Sequence, residues 1–160
     1  MRSGEFRPLT TCERVLAHEV FGTRLSPDRV RLLAVPFWPR AFVASARLIV
    51  WPVRTARRDF STAPIAQQAV FLHELTHVWQ AQHGVNLIVA KLRAGDHPAA
   101  YAYDLDRQSD FSQMNVEQQA MVVQHSFLAR RGEPAPYQAN VYAALLLASG
   151  DRGLPAKTEV

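Results

Sequence analysis

Apolar residues in the first third of the chain fall in short β-rich runs, whereas the later ones lie in longer segments with helical character. Two runs rich in Val, Ile and Phe, at residues 30–35 and 41–51, predict two strands of a small sheet. Before them, Thr10 and Glu13 have the spacing of a capping box, which predicts a helix that continues through Val20 and ends at Gly22. We expect a further segment downstream to complete the sheet.

The rest of the chain has the pattern of successive helices. Residues 65–83 contain no helix breaker, follow capping residues at 59–62 and precede Gly84, which together predict a long helix. Ser112 and Gly132 bound a second long helix, and residues 86–93 and 137–149 predict shorter ones, while residues 101–105 fit a strand or an irregular turn. The sequence therefore predicts an α+β fold, with a mostly helical single domain over residues 9–150, a small N-terminal sheet, and flexible tails at 1–8 and 151–160.

Composition narrows the classes of function. The 160 residues are 48% hydrophobic, which is enough for one core, and the formal charge is +4. The sixteen arginines and two lysines are scattered, so a nucleic-acid partner is not expected. The most apolar stretch contains Arg47 and Pro52 and is too short to span a bilayer, so we expect a cytoplasmic protein without a membrane partner. Export by a machine that reads no N-terminal signal is compatible with this expectation.

The segment His73-Glu74-Leu75-Thr76-His77 carries the strongest chemical signal. Residues four apart lie on one face of a helix, so His73 and His77 can present two imidazoles to one metal ion. Glu74 lies about 100° around the helix from His73 and is placed to act as a general base toward water activated by the metal. A chance match to this pattern in a chain of this composition has a probability of roughly 0.01, which disfavours a coincidental pair of histidines.

A catalytic zinc site needs a third protein ligand beside the two histidines. His83 lies farther along the same helix and cannot return to the same ion, and Gln80 stands where a glycine would be needed to bring in a third histidine. Cys12 is the only cysteine, so a cysteine-based site is excluded. Glu117, early in the second long helix, is the favoured ligand, although such an acid also suits an exposed first turn. The alternatives are His97, Asp110 and His125.

The residues from Phe71 to Gln80 resemble the active-site segment of the zincin-like domain of Vgr-related bacterial proteins, and also the core domain associated with extracellular contractile injection systems. The similarity extends in order through the segments Phe21-Gly22, Val30-Arg31-Leu32, Ala41-Phe42 and Asn115-Val116-Glu117-Gln118-Gln119-Ala120, and covers residues 9 to 132 approximately. The first segment is highly specific, and the others are weak singly.

This resemblance implies a zincin-like fold in which the active-site helix packs on a second, ligand-bearing helix. It implies zinc ligands at His73, His77 and Glu117 in the gluzincin arrangement, with Glu74 as the general base. One position departs from the larger gluzincins, because Met121 stands where they place an aspartate that holds a ligand histidine. Another acceptor must therefore orient the histidines, with Gln118, Gln124 or a backbone carbonyl as candidates.

The function expected from these residues is a zinc-dependent metallopeptidase that acts on a peptide or protein substrate. Tyr103 and His125 are the first choices for stabilising the oxyanion, ahead of Tyr101 and His97, and the strand at 41–51 can pair with an extended substrate. The alternative is a non-catalytic zinc-binding scaffold, or an assembly or effector-associated protein of a bacterial contractile secretion apparatus. In that case the partners are contractile injection or type VI secretion components.

Overall fold

The computed structural model of the protein describes residues 1–95, 97–108 and 110–148. The strands in this part of the chain are β1 (Phe6–Pro8), β2 (Arg31–Val35), β3 (Phe42–Ser45) and β4 (Leu48–Pro52). Its helices are α1 (Thr11–Phe21), α2 (Ile65–Gln82), α3 (Leu87–Ala94), α4 (Pro98–Tyr101), α5 (Val116–Arg130) and α6 (Ala139–Ala148). The predicted α+β class, mostly helical with a small sheet near the N-terminus, is confirmed.

The four strands form one sheet in the order β1-β2-β4-β3. β2 and β4 are parallel, whereas β1 pairs with β2 and β3 pairs with β4 in antiparallel fashion. This order places β3 at one edge of the sheet. α2 contacts both β3 and β4 and also packs along α5, so the sheet and the second long helix meet at α2.

The prediction of one strand at residues 41–51 was wrong, because this segment is the β3–β4 hairpin. Ala46 and Arg47 form the turn between the two strands, and the amide of Arg47 donates to the side chain of Ser45 at 3.3 Å. The turn contains no Gly, Pro or Asn, which are the residues that mark a hairpin in a sequence. The register also shifts between Val43 and Ser45, so the polar end of the run is a local irregularity in the sheet.

The N-terminal residues are also more ordered than a flexible tail at 1–8 would be. Phe6–Pro8 forms β1, and Phe6 lies opposite Leu33 of β2, so the sheet is completed by an upstream segment and not by a downstream one. Arg7 donates two hydrogen bonds of 2.7 Å to the fully buried carboxylate of Glu13, which also accepts the backbone amide of Phe60 at 2.8 Å. This buried ion pair, which hydropathy does not reveal, fixes the segment. The tail at 151–160 lies outside the described residues.

The N-terminal ends of α1 and α5 follow the capping rules, whereas α2 begins after Pro64 without a side-chain cap. The predicted capping box of Thr10 and Glu13 is present at α1, which ends before Gly22 at a φ of 56°. α5 begins later than predicted, because Asp110 caps a short 3-10 turn at Phe111–Gln113 and Asn115 then forms a capping box with Gln118. This later start places Glu117 in the first turn of α5.

α2 is buried on every side over its central part. All residues from 71 to 80 are buried, because the sheet, α3 and α5 surround this part of the helix. Phe71 and Trp79, expected in the core from their position opposite the histidines, are 0% and 8% exposed. None of the helices within the described ranges is long and apolar enough to cross a bilayer.

Candidate metal centre

α2 and α5 bring His73, His77 and Glu117 together inside the protein. One ligand atom from each residue lies within 4.8 Å of the other two, and the three residues are 9%, 0% and 3% exposed. Oε2 of Glu117 is 3.2 Å from Nε2 of His77 and 3.4 Å from Nε2 of His73. Two imidazole nitrogens and a carboxylate oxygen that converge in this way can hold a metal ion. In the described part of the chain, His97, Asp110 and His125 do not join this group.

Gln80 orients His77. Its Oε1 lies 2.8 Å from Nδ1 of His77, while its Nε2 donates to the carbonyl of Val116 at 3.0 Å and to Oε1 of Gln119 at 2.9 Å. Because an amide oxygen only accepts, Nδ1 of His77 donates to Gln80, and this fixes the ring with Nε2 turned toward Glu117. The side chain that replaces the missing aspartate is therefore Gln80, and not Gln118 or Gln124.

Gln118 and Gln124, the side chains predicted to orient a ligand histidine, serve other purposes. Gln118 completes the cap of α5, and its Nε2 donates to the carbonyl of Ala102 at 2.6 Å. Gln124 lines the cavity beside the group. The i, i+3 spacing of His77 and Gln80 on α2 is a sequence signal for their contact. The two bonds that fix the amide of Gln80 depend on the packing of α2 on α5, since those partners lie 36 and 39 positions away in the sequence.

Glu117 is held as a carboxylate. Burial alone would raise its pKa, but its contacts with His73 and His77 and with the ammonium of Lys91 hold that pKa well below its usual range. Nζ of Lys91 lies 2.7 Å from Oε1, so the two oxygens are divided between the lysine and the histidines. The N-terminus of α5 adds a favourable partial positive charge. An ionised oxygen that faces two imidazoles is the form required of a metal ligand.

The pKa of Glu74 is shifted in the opposite direction to that of Glu117. Glu74 is 7% exposed, and burial raises its pKa, against the lowering effect of His73 and Lys91. Its Oε2 has no hydrogen-bond partner among the residues that the structure describes. Neighbouring carboxyl groups whose pKa values are displaced in opposite directions are suited to different tasks, with Glu117 as a ligand and Glu74 as a proton acceptor.

The group opens into a cavity of about 550 Å³. The buried residues His73, Glu74 and Glu117 line it, and so do Lys91 and Tyr101. Ala41 and Phe42, at the start of β3, form part of the wall, so the edge strand of the sheet borders the cavity. Its further lining residues are Trp38, Pro39, Arg40, Trp51, Pro52, Thr55, Gln67, Val70, Gly95 and Gln124.

Tyr103 and His125, the predicted oxyanion donors, are not among the residues that line the cavity. The hydroxyl of Tyr103 is 2.6 Å from Nδ1 of His125 and 2.7 Å from the hydroxyl of Tyr142. Burial raises the pKa of Tyr103 and lowers that of His125. Their ranking as oxyanion donors gains no support from this placement, because they bond to each other and to α6. Of the four candidates, Tyr101 is the one at the cavity wall.

The comparisons with known proteins point to one bacterial protein. No family model matches the chain. The type VI secretion system spike protein VgrG2b of Pseudomonas aeruginosa is 32% identical in an alignment 136 residues long, which covers 78% of this chain and 13% of that protein. The solved structure of the effector domain of VgrG2b has a TM-score of 0.66 and 30% identity, over 89% of this chain and 80% of that domain. The chain therefore belongs to the family of the VgrG2b effector domain.

Proposed function

We propose that the chain is an effector domain that acts with a type VI secretion system, and that its chemistry is zinc-dependent peptide hydrolysis. Homology to a domain described as an effector of a secretion spike protein supports the first part. The second part rests on one observation: His73 and Glu117 of the buried group formed with His77 line the same cavity as Glu74.

The side chains fit zinc by their chemistry. Two imidazoles and one carboxylate make three protein ligands, which is the number found in catalytic zinc sites that keep one position open. This set suits zinc better than magnesium or calcium, which prefer ligand sets made of oxygen. The cavity begins at His73 and Glu117, so the open position would face solvent and substrate. When bound, zinc supplies a Lewis acid that polarises a carbonyl group and lowers the pKa of water.

Glu74 supplies the proton transfers in this proposal. Its carboxylate lies at the cavity, its Oε2 is unpartnered within the described residues, and its pKa is raised by burial. A carboxylate in this setting accepts a proton from the attacking water and then returns it to the leaving amine. Lys91 and Tyr101 line the same cavity, and their ammonium and hydroxyl groups are candidate hydrogen-bond donors to the oxyanion.

The sheet offers a place for the substrate backbone. β3 is the edge strand, and Ala41 and Phe42 at its start line the cavity. An extended peptide that pairs with a free strand edge gains main-chain hydrogen bonds and lies in a fixed register. Such a peptide would pass Glu74 and His73, so the proposed hydrolysis requires no larger cleft.

Metal content and proteolysis test the proposal together. Wild-type protein should bind about one zinc per chain, as read by mass spectrometry, and His77→Ala and Glu117→Ala should lose it. His83→Ala is the matched control, because His83 lies on the same stretch of chain but bonds to the carbonyl of Trp79. Glu74→Gln should keep zinc and lose roughly 10²–10⁴-fold in the rate of casein cleavage. Wild-type protein that takes up no zinc would refute the chemical part.

A non-catalytic role in the secretion apparatus is the second candidate, since the curated relative is itself described as a spike protein. A purely structural metal site has no need of a buried, unpartnered carboxylate such as Glu74, so this role leaves that residue unexplained. Competition between bacterial strains that deliver wild-type or Glu74→Gln protein separates the two. Equal effects on the competitor would favour the scaffold, and loss of the effect with zinc retained would favour the enzyme.

A further inference from the structure

Four of the residues that line the cavity have large apolar side chains, and we call them the apolar wall: Trp38, Phe42, Trp51 and Val70. The rings of Trp38 and Phe42 are 5.3 Å apart and tilted by 52°. Trp38 is 54% exposed and Val70 is 39% exposed, so both present apolar surface to the cavity and to solvent. Large apolar groups left exposed beside a candidate active site indicate a surface for a ligand.

The wall is held in place by packing behind it. The ring of Trp51 lies 4.3 Å from that of Phe60 and 6.4 Å from that of Phe71, and its indole N–H donates to Oγ1 of Thr55 at 3.1 Å. Trp51 is therefore fixed, with its polar atom satisfied. Trp38 lies on the short β2–β3 connection, in which prolines at positions 36 and 39 restrict the backbone. A wall of this kind exists before the ligand arrives, which favours binding because little ordering is required.

The distance of the wall from the candidate metal centre fits a peptide. Val70 precedes His73 by one turn of α2 and Glu74 by four residues, which is about 4.5–6 Å along the helix axis. An extended peptide advances about 3.3 Å per residue. A chain that crosses Glu74 therefore carries a side chain to the wall one or two residues from the bond under attack.

We propose that the apolar wall is a subsite for a large apolar side chain, preferentially an aromatic one, of an extended peptide. The inference rests on the proposed function, because the same peptide lies across Glu74 and His73. A peptide is favoured over a sugar because the edge strand β3 begins at this cavity and offers main-chain hydrogen bonds to an extended chain, which positions its side chains along the wall.

Binding to inactive protein tests the subsite apart from catalysis. Zinc-loaded Glu74→Gln protein is titrated with blocked hexapeptides that differ only in one central residue, either Phe or Ala, and Kd is measured by calorimetry. We expect the Phe peptide to bind roughly 10–100-fold more tightly. Adding Trp38→Ala should reduce this ratio by about tenfold. Phe37→Ala is the matched control, because Phe37 is 97% exposed on the same connection, does not line the cavity, and should leave the ratio unchanged.

The other possible results distinguish a failure of the subsite from a failure of the proposed peptidase activity. Equal Kd values for the Phe and Ala peptides, or no binding of either, would overturn the subsite. Binding of an N-acetylglucosamine tetramer that Trp38→Ala removes would overturn it in favour of a glycan. Selective binding of the Phe peptide without its cleavage by wild-type protein would uphold the subsite and refute the peptidase. Cleavage of both peptides at equal kcat/KM would uphold the peptidase and refute the subsite.

Discussion

Replacement of Gln80 by leucine is the most informative single perturbation of the site. Gln80 is 1% exposed and makes three hydrogen bonds, one within α2 to Nδ1 of His77 and two to α5, at the carbonyl of Val116 and Oε1 of Gln119. Leucine has a similar volume but can make none of these bonds. The variant therefore removes the group that fixes the tautomer of His77 without removing any proposed ligand.

The expected loss of stability in Gln80→Leu follows from the buried groups that lose their hydrogen-bond partner. Each lost hydrogen bond contributes about 0.5–1.5 kcal/mol, and its buried partners become unsatisfied, so we expect a loss of roughly 2–4 kcal/mol in the free energy of unfolding. Loss of a residue that orients a ligand histidine weakens metal binding by about 10–100-fold. The two effects are separable, since stability is measured without metal and affinity is measured on folded protein.

The assay is zinc competition with a fluorescent chelator, beside urea unfolding of the metal-free protein. Gln119→Ala is the matched control, because it removes one partner of Gln80 but leaves the bond to His77 intact. We expect its zinc affinity to stay within about threefold of wild type. A folded Gln80→Leu protein that binds zinc as tightly as wild type would refute the reasoning, because His77 would then be oriented by something other than Gln80.

Three further predictions follow from other contacts. Nζ of Lys91 lies 3.2 Å from Nε2 of His77, where it competes with a metal for the same lone pair, so Lys91→Met should tighten zinc binding by about tenfold in chelator competition. Weaker binding would contradict that competition. Glu13→Gln breaks a buried ion pair and should cost about 3–5 kcal/mol in urea unfolding, whereas the surface control Glu19→Gln should cost under about 1 kcal/mol. Equal losses would count against the burial argument. Burial lowers the pKa of His125 below 6.5, so the unfolded chain binds this proton more readily and stability should fall as pH drops below 6.5. His125→Gln should flatten that part of the profile, and an unchanged slope would assign it to another group.

The features that follow from local sequence were predicted well. The capping box at Thr10 and the uninterrupted run of α2 are determined by neighbouring residues, so their helices lie where the pattern indicated. The pairing of His73 with His77 is also local, because one helix carries both. The family resemblance singled out Glu117 among several acids, and the packing of α2 on α5 accounts for its proximity.

The features that depend on distant contacts were missed. β1 is held by the ion pair of Arg7 with Glu13 and by pairing with a strand more than twenty residues away, neither of which leaves a pattern of hydrophobicity. The hairpin at residues 41–51 lacks turn residues, so its two strands read as one run of apolar residues. Lys91 reaches the candidate metal centre only through the packing of α3 against α5, and no spacing rule connects it to the histidines. Gln80 lies three residues from His77 on α2, but the two bonds that fix its amide depend on the packing of α2 on α5.

The burial of α2 on every side changes what sequence divergence in this family would mean. Between positions 71 and 80 most substitutions would disturb the core, whatever the protein does, so the apolar residues that flank the histidines would persist in a relative without activity. Glu74 differs, because a buried carboxylate with an unpartnered oxygen costs stability and contributes nothing to packing. A relative released from selection for catalysis should therefore lose this residue first, and its presence is the more telling mark of an active member.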